Sequence, residues 1–311
     1  MTVVPPPESA GAGRYAPSPS GDLHLGNLRT ALLAWLFARS TGRRFLLRVE
    51  DLDRVRPGAW ERQLADLVAI GLDWDGPVVC QSQRLGLYEA AIERLTEAGR
   101  TYECFCTRRE IQQAASAPHG PVGAYPGTCR DLTDAQRADR RAEGRSPALR
   151  LRAGVHEFAI DDELHGRYIG RVDDVVLRRA DGVPAYNLAV VLDDADQGID
   201  QVVRGDDLLP STPRQAYLAT LLGLATPRYA HVPLVLNEHG QRLAKRDGSV
   251  TLADQRRAGV GTDEIVARLI ASLGFPPGSA ADTLTRFDPV ILPREPSIFT
   301  DDGLLRPSGS P

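Results

Sequence analysis

Apolar residues fall into two kinds of run along the chain, and their alternation sets the expected architecture. Leu28, Ala31, Leu32, Trp35 and Leu36 share one face at helical spacing, with Asn27 as the expected N-cap and Gly42 as the stop. The mostly apolar stretch Phe45 to Val49, interrupted at Arg48, then reads as a strand ending at Glu50. Helices are expected over 58–71, with Trp60, Leu64, Leu67 and Val68 on one side, and from Leu85 to Ala98, closed by Gly99. From Tyr186, N-L-A-V-V-L-D-D fits helix or strand by pattern alone. I-D-Q-V-V-R reads as a strand ending at Arg204, followed by a helix capped by Ser211 or Thr212 with Pro213 in its first turn. Y-A-H-V-P-L-V-L-N reads as a last strand, and Thr262 caps one further helix through Leu273. Strand and helix in alternation predict an α/β fold around a parallel sheet.

Roughly 100–165 breaks this rhythm and reads as an insertion. It holds Cys104-Phe105-Cys106, a short helix, a loop rich in Gly, Pro and Ala, and Tyr125 to Cys129. The strongly charged stretch 130–147 reads as an exposed helix, and short strands follow near Ala148–Leu151, Arg167–Gly170 and Val175–Arg179. The main domain is thus expected over 13–99 and 166–255, after a disordered start over 1–12. A C-terminal helix over 256–275 and an irregular tail over 276–311 complete the expected organisation.

Composition narrows the setting. The 311 residues are 42% hydrophobic and 25% charged, ordinary for a globular protein with a substantial core. A net charge of −4 gives no global basic field, so a nucleic-acid partner needs a local basic face. Four cysteines, three of them clustered, do not form a secreted disulfide framework. The N-terminus lacks the pattern of a signal peptide, and no apolar run reaches membrane-spanning length. A cytoplasmic protein is expected, with no membrane partner.

The candidate chemistry begins at R-Y-A-P-S-P-S-G-D-L-H-L-G-N, Arg14 to Asn27. Pro17 and Pro19 exclude helix and central strand, so an extended loop follows the strand that ends at Arg14-Tyr15-Ala16. Gly21 and Gly26 permit close backbone approach of a ligand. His24 and Gly26 lie just before the expected helix, whose N-terminus suits a phosphate.

This stretch resembles the signature loop of class I aminoacyl-tRNA synthetases, and A-P-S-P-S-G is what the glutamyl subgroup carries. Asn27 stands where the usual tetrapeptide has a second His. R-L-A-K-R, Arg242 to Arg246, resembles the second signature loop, K-M-S-K-S, with Ala244 in place of Ser and Arg246 as the basic last residue. The resemblance covers roughly 13–275 and implies a Rossmann-like catalytic domain that joins an amino-acid carboxylate to the α-phosphorus of ATP. It places His24 and Lys245 on opposite sides of the triphosphate as catalytic groups. ATP binding falls to His24, Gly26, Asn27, Arg242 and Lys245, with Gly26 letting adenine lie against backbone. Mg²⁺ is expected with the ATP, although no protein ligand for it is identifiable.

Glutamate needs cations for its carboxylates and an anion for its ammonium. By the resemblance, Arg14 and Arg204 hold the side-chain carboxylate and Glu50 the ammonium, with Tyr186, Ala16 and Ser18 beside them.

Cys104, Cys106 and Cys129 suit one metal, with zinc usual for sulfur-rich sites. General chemistry favours His119 as the fourth ligand. The C-x-C…Y-x-x-x-C pattern resembles that of the short glutamyl-queuosine subgroup, which implies Tyr125 and a structural Zn²⁺. Cys80 lies apart and reads as an ordinary thiol.

Only 66 residues follow Lys245, and about half of them read as disordered, so no anticodon-binding domain is expected. The resemblance therefore extends to the truncated glutamyl-queuosine tRNA(Asp) synthetase family. It implies tRNA-independent activation of L-glutamate and transfer to the queuosine base at the wobble position of tRNA(Asp); a monomer is expected. Arg108, Arg109 and Arg130 are candidate phosphate contacts. A minimal enzyme charging the 3′ end of tRNA(Glu), and a non-catalytic synthetase-like binding protein, are the rival readings.

Overall fold

The computed structural model describes residues 11–107, 109–111, 125–243, 250–300 and 305–307. In chain order it begins β1 (Ala12–Tyr15), α1 (Leu25–Ser40), β2 (Arg44–Val49), α2 (Ala59–Ala69), β3 (Val79–Cys80), α3 (Leu85–Glu97) and β4 (Thr101–Cys104). It continues with α4 (Asp134–Ala142), β5 (Ala148–Leu151), β6 (Glu157–Asp162), β7 (Gly166–Arg171) and β8 (Val176–Arg178). Then come α5 (Tyr186–Asp196), β9 (Ile199–Gly205), α6 (Thr212–Leu221), β10 (Arg228–Val232) and β11 (Val235–Leu236). The last described elements are α7 (Leu252–Arg257), α8 (Thr262–Ala271), α9 (Ala280–Leu284), β12 (Ser297–Phe299) and β13 (Leu305–Pro307).

The central sheet has the order β3-β2-β1-β9-β10-β6-β7 and is parallel except for the β6–β7 hairpin. Strand order therefore reverses between β1 and β9, the switch point where open α/β sheets bind ligands outside their carboxyl edge. Twelve of the sixteen residues of α1 are buried, which makes it an interior helix rather than one with a single apolar face. Its Leu and Phe side chains pack with Phe45 and Leu47 of β2, Val232 of β10 and Leu269 of α8 in the largest core cluster.

Several local expectations change. The N-cap of α1 is His24, not Asn27; the Asn27 side chain reaches back to the His24 backbone in a reciprocal capping box. In α2, Leu67 is buried and Trp60 and Leu64 are half-buried as expected, but Val68 is 59% exposed, and Ala59 and Gln63 complete the buried face. The ambiguous stretch at Tyr186 is helical. The last strand divides: Pro233 lacks an N–H for the ladder, so β10 stays in the central sheet and β11 enters a small sheet with β12 and β13. The N-cap of α8 is Gly261, and Thr262 is its first residue. The N-cap of α6 is Ser211, but without a side-chain capping bond.

Residues 100–165 are not set apart as a block. β4, β5 and β8 form their own antiparallel sheet, whereas β6 pairs with β10 in the central sheet. Nor is the tail wholly irregular: α9 packs on α1, and β12 pairs with β11. The expected disordered start lies outside the described residues up to residue 10, while Ala12 is already in β1. The exposed charged helix is present as α4, with no buried residue. Among the described residues no helix is long and apolar enough to cross a membrane.

Candidate active site

A cavity of about 540 Å³ opens at the carboxyl ends of β1 and β9. Ala16, Ser18, His24, Gly26, Asn27, Glu50, Tyr186, Arg204 and Arg242 all line it. Arg14 does not; it is buried behind the lining and held by Asp194. Lys245, Ala244 and Arg246 lie outside the described residues.

The loop after β1 is fixed from several sides. Glu50 N–H donates to Pro17 O at 3.1 Å and Arg56 N–H to Pro19 O at 2.9 Å. Buried Gln63 donates to Ser18 O at 3.0 Å and to Gly21 O at 2.6 Å, a clamp the sequence reading missed because a lone Gln on a helix carries no motif. His24 Nδ1 accepts from Asn27 N–H at 3.2 Å, so a neutral His24 carries its proton on Nε2. Gly26 makes room for that ring, since a Cβ there would stand 3.0 Å from His24 Nδ1 and 3.2 Å from Val235 Cβ. The helix N-terminus is therefore partly capped by protein, with Leu25 N–H also donating to Val250 O at 2.8 Å.

Around Glu50 lies a buried ionic network absent from the motif reading. Arg48 Nη1 donates to Asp194 Oδ1 at 2.8 Å, Arg14 Nε to the same oxygen at 3.3 Å, and Arg48 Nη2 to Glu50 Oε1 at 3.5 Å. Asp193 is fully buried and accepts from Gln81, Arg84 and Tyr88. Burial pushes Asp194 up, but Arg14 and Arg48 outweigh it and hold its carboxyl below the ordinary range. For Glu50 burial wins over Arg48 and Arg14, and its carboxyl is raised. Arg48 is internal because both faces of β2 in the parallel sheet are covered.

On the opposite wall, Arg204 donates from Nη2 to Thr212 Oγ1 at 2.8 Å and Gln215 Oε1 at 2.7 Å. Its Nη1 makes no hydrogen bond among the described residues. Tyr186 is 41% exposed to the cavity. Arg242 is tied to Asp207 Oδ2 at 2.5 Å on the rim. The cavity thus brings a cation, an anion and an imidazole around one space, a set suited to an amino acid and a phosphate ester together.

The thiols of Cys104, Cys106 and Cys129 converge within 4.8 Å. Cys106 Sγ and Cys129 Sγ are 3.5 Å apart, too far for a disulfide. Tyr125 Oη sits 3.3 Å from Cys104 Sγ and 3.7 Å from Cys106 Sγ, with Arg150 stacked 3.7 Å over its ring. Hydrogen bonding from Cys106 holds the Cys104 thiol below the ordinary thiol range, and the same contact raises Cys106. Three soft donors and a phenol oxygen fit a metal ion. His119 and Arg108 lie outside the described residues. Cys80 stands apart from the cluster. Arg130, a candidate phosphate contact, has its guanidinium engaged by Asp174 at 2.5 Å and Ala153 O at 2.8 Å.

Residues 12–290 match the family model described as tRNA synthetases class I (E and Q), catalytic domain. The chain is 76% identical over 311 residues, all of both chains, to a protein of Nocardia farcinica named glutamyl-Q tRNA(Asp) synthetase. A Cutibacterium acnes protein of the same name is 55% identical over 270 residues, 85% of this chain and 76% of that one. In structure it superposes on a glutamate tRNA ligase from Elizabethkingia meningosepticum, solved with its amino acid, with a TM-score of 0.79. That match has 28% identity and covers 94% of this chain and 68% of the other. With its reversed strand order, its first signature loop at the switch point and these relatives, the chain belongs to the glutamyl-Q tRNA(Asp) synthetase family of class I synthetases.

Proposed function

We propose that the chain activates L-glutamate with ATP, without tRNA, and passes the glutamyl group to the queuosine base at the wobble position of tRNA(Asp). A glutamate carboxylate oxygen attacks the α-phosphorus and pyrophosphate leaves; a hydroxyl of the cyclopentenediol ring then attacks the glutamyl carbonyl and AMP leaves. The observation that carries this reading is the placement of Glu50, Tyr186 and Arg204 around one cavity beside His24.

In this reading Glu50 receives the substrate ammonium, and Arg204, with Arg14 behind the wall, receives the side-chain carboxylate. Ala16, Ser18 and Tyr186 shape the pocket. His24 through Nε2–H and Lys245 neutralise charge growing on the triphosphate, while Gly26, Asn27 and Arg242 border the nucleotide. Mg²⁺ accompanies the ATP.

A second cavity of about 790 Å³ shares Ser18, Glu50 and Tyr186 with the first and opens toward Cys106, Thr107 and Arg150. Its position supports entry of an acceptor nucleoside against the activated carbonyl. Zn²⁺ held by Cys104, Cys106, Cys129 and Tyr125 would shape that side of the entrance, supplying structure and no chemistry. We take the working unit as a monomer in the cytoplasm, where reducing conditions keep these thiols unpaired.

The similarity to a glutamate tRNA ligase supports a second reading, a short enzyme that charges tRNA(Glu). Labelled glutamate offered with queuosine-containing tRNA(Asp), the same tRNA without queuosine, and tRNA(Glu) separates the two. Label on the first alone is the expected result. Label on the 3′ end of tRNA(Glu) overturns the proposal in favour of the second reading.

A further inference from the structure

Arg204 is held by a hydrogen-bonded chain that runs across three neighbouring strands, from Asp162 at the end of β6 through His231 on β10. His231 on β10 lies directly opposite Arg204 on β9 in parallel register. Arg204 Nε donates to His231 Nε2 at 3.2 Å. His231 Nδ1 lies 2.6 Å from Asp162 Oδ2, and the carboxylate also accepts from the backbone N–H groups of Leu164 at 2.9 Å and His165 at 3.0 Å. Asp162, His231, Arg204, Thr212 and Gln215 are all buried.

Bond polarity fixes the protonation pattern. A guanidinium can only donate, so Nε2 facing Arg204 must carry a lone pair, and the proton must sit on Nδ1 toward Asp162. An imidazolium would set Nε2–H against Arg204 Nε–H at 3.2 Å. With that tautomer the Thr212 hydroxyl, which can also turn to Leu208 O at 3.2 Å, is the second donor available to Nε2. Thr212 Oγ1 lies 2.9 Å from Nε2 and Tyr229 stacks 5.9 Å away, while the His165 ring reaches the His231 carbonyl through Nε2 at 3.0 Å and, when charged, adds to the forces that disfavour a charged His231. Burial, and after it the nearby Arg204, outweigh Asp162 and hold His231 below its ordinary value, while Asp162 is held down by His231 and the two backbone donors against its burial. Pinned at Nε by His231 and at Nη2 by Thr212 and Gln215, the guanidinium has one orientation, with Nη1 left for the cavity.

We infer that His231 and Asp162 are positioning residues for glutamate recognition: Asp162 fixes the tautomer of His231, whose Nε2 lone pair fixes the plane in which Arg204 meets the substrate carboxylate. This rests on the reading of Arg204 as a glutamate anchor. A misaligned fork loses one charge-assisted bond while ATP contacts stay intact.

The test uses glutamate-dependent pyrophosphate exchange by the full-length protein and its His231→Leu, His231→Gln and Arg204→Lys variants. His231→Leu should raise the KM for glutamate about tenfold or more, with the KM for ATP and the rate at saturating glutamate within about twofold. His231→Gln, whose amide oxygen can accept from Arg204, should recover much of the loss. Equal effects on glutamate, ATP and rate would mean a general structural role and overturn the inference. Unchanged glutamate KM in His231→Leu, with a raised value in Arg204→Lys, would sink the inference alone. Unchanged glutamate KM in Arg204→Lys would instead remove the Arg204 reading, and the inference with it. Nitrogen NMR of the histidine-labelled wild type reads the tautomer without any variant. An unprotonated Nε2 at neutral pH is expected, and a protonated one contradicts the inference.

Discussion

The backbone N–H of Leu25 donates to the carbonyl of Val250 at 2.8 Å, joining the first turn of α1 to the chain that leaves the basic loop. His24 and Thr251 form an antiparallel bridge at the same place. The segment after R-L-A-K-R is therefore anchored to the turn that carries His24, and the anchor is backbone, independent of the side chains at either signature.

His24 has two separable duties, capping α1 and presenting Nε2–H to the cavity. His24→Asn keeps a good capping residue, so thermal stability should change little while pyrophosphate exchange falls by about 10²–10³-fold. His24→Ala should show the same activity loss together with a cap loss of about 0.5–2 kcal/mol. Equal exchange rates for the His24→Asn variant and the wild type, measured at saturating substrates, would remove the imidazole from catalysis.

Gly26→Ala tests whether space at this position serves the His24 ring. The added methyl group would press on His24 Nδ1 and Val235 Cβ, while alanine favours the helix by about 1 kcal/mol. Retained thermal stability with exchange lowered at least about tenfold is expected. A fully active variant would show that the imidazole yields without cost.

Glu50 couples pH to substrate affinity. Its folded carboxyl is raised, chiefly by burial, so it protonates at a higher pH than an ordinary glutamate. Glutamate binding should weaken on the acid side as the anion facing the ammonium is lost, and Glu50→Gln should weaken binding at all pH and flatten that limb. The stability effect has the opposite sign. A raised acid contributes stability below its unfolded value and loses it as pH rises through the folded one, so Glu50→Gln should be no less stable than wild type at neutral pH. Calorimetric titration with glutamate and thermal melts across pH read both.

The thiol cluster should bind one Zn²⁺ per chain, measured by elemental analysis. Cys104→Ser should abolish retention and lower the melting temperature. Tyr125→Phe should retain metal but release it to a chelator faster, whereas His119→Ala should behave as wild type. A metal-free wild-type protein of full stability, or chelator resistance lost in His119→Ala alone, would contradict the ligand set.

The parts of this molecule legible in the sequence are those written in local chemistry. P-S-P-S-G with a following apolar helix identified the loop, and C-x-C with Tyr125 and Cys129 anticipated a convergence of four donors that the structure brings within contact. Long-range pairing was not legible. Arg48, Asp193 and Asp194 look like ordinary surface charges until the parallel sheet buries them together, and Asp162 meets His231 only because β6 returns to the central sheet. Boundaries failed where a side chain outranked pattern: His24 displaced Asn27 as cap by accepting from its N–H, and Pro233 divided an apolar run into strands of different sheets.

Everything proposed for the cavity stands on glutamate being activated by this chain alone. Glutamate-dependent exchange of pyrophosphate into ATP, measured without any tRNA, addresses that step with no acceptor in the way. Exchange with glutamate in the absence of tRNA, unchanged when tRNA(Glu) is added, is the predicted result. Exchange that appears only with tRNA(Glu), or none at all from protein that is folded and metal-loaded, would contradict it.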